Sequence, residues 1–114
     1  MRIPVYILLT ALLCLCSTLL AQVNFTSSNL PIIVIDTNGQ DIPDEPKIDA
    51  MMGIIDNGPG NRNFITNPFN NYDGHIGIEI RGSSSQGFPK KQFAFETRAS
   101  TGENNNVHLL GMPT

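Results

Sequence analysis

Apolar and polar positions alternate most strictly over His75-Ile76-Gly77-Ile78-Glu79-Ile80-Arg81, with Ile76, Ile78 and Ile80 on one side and Gly77, Glu79 and Arg81 on the other. A period of two is the mark of a half-buried strand. The period recurs from Lys90 to Arg98, with Phe93 and Phe95 facing inward, and the polar stretch Gly82-Ser83-Ser84-Ser85-Gln86-Gly87 lies between the two segments. The pair predicts an antiparallel hairpin. Leu30 to Ile35 is a short β-branched run closed by Asp36-Thr37-Asn38-Gly39, which predicts a strand and then a turn, since Asn-Gly accepts positive φ cheaply. Asp41 to Pro46 is a polar connection broken by proline. Lys47 to Ile55 fits either period, but Gly53 and the breaker Asn57-Gly58-Pro59-Gly60 favour a strand. Asn61 to Gly74 and Ala99 to Asn106 read as loops, and the turn-forming Gly111 to Thr114 follows Val107 to Leu110. The Ile76/Ile78/Ile80 and Phe93/Phe95 face needs a cover, and no amphipathic helix is encoded to supply one.

Ahead of this β-rich region, Arg2 precedes an apolar stretch from Ile3 to Leu20, followed by Ala21-Gln22. One basic residue, a short apolar core and a small residue at the end predict a secretory signal peptide over residues 1–21, cleaved after Ala21, and hence a secreted or cell-surface protein. The stretch is at the lower length limit for a membrane span, so membrane attachment would arise only through an uncleaved signal. Residues 22–29 then form a linker to a domain over 30–114. Cys14 and Cys16 both fall in the signal segment, so no disulfide braces the mature chain. Leu13 and Leu15 precede them where a lipoprotein needs a small residue, which argues against lipid anchoring.

Charge narrows the function further. Once Arg2 is removed, six Lys and Arg face ten Asp and Glu, so a nucleic-acid partner with a basic footprint is not expected. The length excludes a multi-domain enzyme. A mature chain of this size sits where a single core is only marginally self-supporting, and the sequence offers it no staple.

Few residues suggest chemistry. The run Asp36 to Asp41 has the composition of a calcium loop, but an EF-hand requires glycine sixth and glutamate twelfth, and here glycine is fourth and Lys47 is twelfth. His75 and His108 lack a partner at metal-ligand spacing, so no protein metal site is expected. Asn24-Phe25-Thr26 is a glycosylation sequon, meaningful only in a eukaryotic secretory pathway. Gly82 and Gly87 have the separation of a Walker loop, yet Phe88 replaces the lysine and a strand follows instead of a helix. What remains is a strand, a Gly/Ser loop and a lysine-bearing strand. In that arrangement glycines let backbone approach a phosphate, Ser83, Ser84 and Ser85 offer hydroxyls, and Arg81, Lys90 and Lys91 offer charge. The same residues also make a solvated hairpin loop, and spacing alone favours that reading, because Gly/Ser turns flanked by lysines are common. In a regular strand Lys91 would share a side with Phe93, and Lys90 would share the other with Ala94 and Glu96. Small Gly77 and Ala94 on that second face would leave room for an adenine ring.

The stretch from Ile76 to Arg98, with its Arg81-Gly82-Ser83-Ser84-Ser85 and Pro89-Lys90-Lys91 segments, resembles the spore coat protein H (CotH) kinase family. Leu30 to Asp36, Gly53 to Gly60 and Leu109 to Pro113 are similar to secreted Bacteroidetes-type members, so the resemblance runs from about Phe25 to Pro113. It implies the partial N-terminal lobe of an atypical protein-kinase-like α+β fold that uses ATP and a divalent metal to phosphorylate serine on exported proteins. Arg81, Gly82, Ser83, Ser84, Ser85, Lys90 and Lys91 would form its nucleotide contact. The tryptophan-bearing strand and the lobe with the catalytic acidic residues cannot be placed in this sequence, so the expectation is an N-terminal fragment inactive by itself. The alternative is a non-enzymatic cell-surface or coat-associated module that presents the same sheet to a surface partner.

Overall fold

A computed structural model of the chain describes residues 23–114 together with Pro4. The expected signal peptide, its cleavage site and both cysteines lie outside the described residues. Within them the protein is β-rich and its sheets are antiparallel. Six strands occur in the order β1 (Ser27–Ser28), β2 (Ile32–Asp36), β3 (Ile48–Ile55), β4 (Asn63–Phe64), β5 (Tyr72–Arg81) and β6 (Gln92–Arg98). A four-stranded sheet has the order β2-β3-β5-β6, and β1 pairs with β4 in a separate two-stranded ribbon.

Register explains which residues meet. Ile78 lies opposite both Ile48 and Phe95, Ile76 opposite Ala50 and Thr97, and Ile80 opposite Phe93. Residues directly opposite share a face, so the isoleucines and phenylalanines of the hairpin lie on one side, as the alternation predicts. Ala50, Met52, Ile54, Ile76 and Ile78 form the buried centre of this face, with Ile42, Tyr72, Leu109 and Leu110 packed against it. Part of the cover therefore comes from the β2–β3 connection and from the loop near the C-terminal end of the described chain. It does not reach the rims: Phe93 and Phe95 remain 47% and 43% exposed, so the expectation that they point into a core is corrected. They lie on the core face but on its uncovered outer strand.

The other face divides in two. Around Gly53 it is covered by the β3–β5 connection, whose Phe69 ring lies flat on the glycine. That connection is more ordered than a run of turn formers suggests. Asn63 is buried at 1% exposure, donates to the Leu30 carbonyl (2.9 Å) and accepts from the Asn57 amide (2.7 Å). The Asn57 side chain donates to Asn67 and accepts from Asn70, and Asn70 in turn accepts from the Asp56 amide.

Three boundaries differ from the sequence reading. Tyr72 to Gly74, expected in a loop, extend β5, because their partners Ile54, Gly53 and Met52 on β3 continue the ladder. Ser27–Ser28, expected in the linker, pair with Asn63–Phe64. Strand β6 begins at Gln92, leaving Lys90 and Lys91 in the connection before it. The predicted turn after β2 has Asn38 and Gly39 at φ 54° and 79°, with Gln40 N–H donating to the Thr37 carbonyl.

Candidate functional site

The hairpin loop begins where Arg81 ends β5 opposite Gln92. Gly82 follows with φ 90°, a backbone conformation open to glycine, and a side chain there would also collide with the Ser85 hydroxyl. Positive φ turns the chain sharply enough for Ser84–Gly87 to close one 3-10 turn, in which the Phe88 amide donates to the Ser85 carbonyl at 3.2 Å. Ser83 and Ser84 are exposed and Ser85 is half-buried.

Gln86, which no pattern in the sequence singles out, holds this loop in place. Its amide donates to the Gly82 carbonyl and, at 2.8 Å, to Asp44 Oδ1 in the connection before β3. Beside it the Ile80 amide donates to the Pro43 carbonyl at 2.7 Å. Local periodicity carries no trace of the ties to Asp44 and Pro43, because those partners are more than thirty positions away.

The seven expected contact residues are only partly brought together. Gly82, Ser83, Ser84 and Ser85 form one continuous loop. By register Arg81 belongs to the face of Glu79 and Gly77, whereas Lys91 lines a hollow with Ile80 and Phe93 on the opposite face. Lys91 Nζ donates to the Gln86 carbonyl. Lys90 is exposed and has no hydrogen-bonded or ionic partner among the described residues.

Over Gly77, the face expected to admit adenine is occupied by charge. Arg98 lies across Gly77 so closely that a side chain at Gly77 would overlap the guanidinium. Arg98 reaches Glu96 Oε1 at 2.7 Å through Nη2 and also pairs with Asp49. Lys47 Nζ completes the ladder, 3.1 Å from Glu96 and 3.9 Å from Glu79. Glycine at position 77 thus makes space for an arginine of the same sheet, and the expected opening for a base is corrected accordingly.

Arg98, and secondarily Lys47, holds the Glu96 carboxyl below the usual carboxylate range, while Glu96 and then Asp49 push Arg98 upward. A lowered folded-state pKa adds stability that is present above the unfolded value and lost as pH falls through the folded one. The loss should start near the ordinary carboxylate range, at about pH 4 to 5, and continue below it. Glu96→Gln should flatten that acid limb in denaturant melts and lower neutral stability by the same amount, a small one because pairs this open to solvent contribute little. An unchanged acid limb would assign it to other carboxylates.

Among the described residues no three His, Cys, Asp or Glu side chains converge as a metal-holding group. No described helix is long and apolar enough to cross a membrane. Comparison of the chain with protein-family models, curated proteins and solved structures finds no match.

Proposed function

We propose that the chain is the opening part of a secreted CotH-like kinase N-lobe, in which the β5–β6 loop lies over the phosphates of ATP. The observation that carries this reading is the hairpin itself: an antiparallel strand pair joined through a glycine at φ 90°, an exposed serine loop and a lysine-bearing return. Backbone at Gly82 can approach an anion closely, and the Ser83 and Ser84 hydroxyls can donate to it. Lys90 has a free ammonium to neutralise charge, while Lys91 fixes the loop by donating to Gln86. The resemblance of Ile76 to Arg98 to that family supplies ATP as the nucleotide and an exported protein as the phosphate acceptor.

The described residues fit the phosphate part of this ligand better than its divalent ion, for which they bring no cluster of carboxylates together. Any such ion would need ligands from elsewhere. What this segment would contribute is binding and orientation of phosphate oxygens, one part of the positioning on which phosphoryl transfer depends.

The test is ATP affinity, measured by titration calorimetry on a full-length protein carrying this hairpin. Lys90→Ala should weaken binding about fivefold, the loss of one exposed charge worth about 1 kcal/mol, with Lys91→Ala changing it less. A loss confined to Lys91→Ala would reverse the roles of the two lysines. Absence of ATP binding in the parent protein would overturn the reading.

A further inference from the structure

We infer that β2 is a self-recognition edge through which two copies of this chain join their four-stranded sheets into one. Every sheet in the molecule ends at two edges, and here they differ. The β6 edge is closed at its C-terminal end by the chain that follows it. Asn105 N–H donates to the Thr97 carbonyl at 2.9 Å, Ala99 N–H donates to the Glu103 carbonyl at 2.8 Å, and Arg98 bridges to Asn104. No described strand pairs with the outer side of β2. Nor does Ile32–Asp36 contain the proline, lysine or bulge with which edges are commonly guarded.

The occupant follows from the order of residues in β2. Antiparallel pairing about a two-fold axis through Val34 places Ile33 opposite Ile35 of the second copy, and Ile35 opposite its Ile33. Asp36 then faces Ile32, so no two carboxylates oppose each other. Ile33 and Ile35 are 47% and 38% exposed on the apolar face of the sheet. Directly opposed side chains in such a pair lie close enough to cover one another. One operation therefore satisfies the free backbone groups of the edge and shields the isoleucines exposed at that rim. A slip of one residue would set Ile33 and Ile35 against residues of the opposite face, so the pairing of the two copies is held to registers that keep the isoleucines together.

Sedimentation velocity on the purified chain over a wide concentration range tests this. The parent protein should pass from monomer to twice the monomer mass as concentration rises. Ile33→Lys/Ile35→Lys places lysines opposite lysines at exposed positions and should weaken self-association roughly tenfold or more. Ile33→Glu/Ile35→Glu should do the same, and an equimolar mixture of the two variants should regain the dimer. A parent protein that stays monomeric throughout overturns the proposal, including a monomer that captures some other extended chain on this edge. So does equal self-association of the charged variants, or failure of their mixture to associate.

Discussion

Asn63→Ala is expected to destabilise the protein by about 2 kcal/mol, the loss of two hydrogen bonds made by a buried side chain at roughly 0.5 to 1.5 kcal/mol each. The side chain stands between the Leu30 carbonyl and the Asn57 amide and is almost wholly removed from water. Its substitution disconnects β4 from the chain entering β2 and frees the loop that the Asn57, Asn67 and Asn70 side chains hold together. Asn63→Asp separates hydrogen bonding from packing. It keeps the shape and the acceptor toward Asn57, but an ionised carboxylate meets the Leu30 carbonyl without a proton to donate. Burial raises the folded-state pKa of such a group, so its penalty is largest at neutral pH and shrinks on acidification, when the protonated acid can donate again. Urea denaturation of both variants at pH 7 and near pH 4.5 checks this. Equal stability of Asn63→Asp at the two pH values, or a change below about 1 kcal/mol in Asn63→Ala, would remove the network from the stability of the fold.

Gly53→Ala should cost about 2 kcal/mol, in the range for overfilling a packed site. A Cβ at this position would lie 2.5 Å from three carbons of the Phe69 ring. The ring is 41% exposed and can swing outward, but the adjoining chain resists: the Asn70 and Asn71 amides both donate to the Ile54 carbonyl, and Asn70 is held by Asn57. Removing the ring removes the collision. In a Phe69→Ala background the same substitution should be nearly neutral, giving a strong coupling between the two sites. Additive losses in that double-mutant cycle would mean that Phe69 does not rest on Gly53 in solution.

Both effects depend on partners that the sequence does not reveal, and this marks how far it can be read. Alternation at Ile76, Ile78 and Ile80 was enough to locate β5 and its buried face, because a period of two is a local property. Tyr72 to Gly74 escaped it. Asp73-Gly74 has turn-forming composition, and only the ladder to β3 keeps those residues extended. Asn57, Asn63, Asn67 and Asn70 read as loop for the same reason, although one of them is as buried as the core. At the candidate site the glycine, the serines and the lysines were legible as chemistry. Gln86 was not, since its role rests on Asp44 across a long separation. Gly77 gave the opposite lesson: a small residue suggests a vacancy, and here Arg98 fills it.

In the four-stranded sheet, β2, β3, β5 and β6 each pair only with the sheet strands next to them along the chain. A chain that emerges N-terminus first presents these strands in the order in which they pair. Each newly emerged strand finds its partner already waiting, and each addition closes a modest loop instead of awaiting a distant segment. The sheet can therefore lengthen as the chain emerges, with β6 and the loop before it added last.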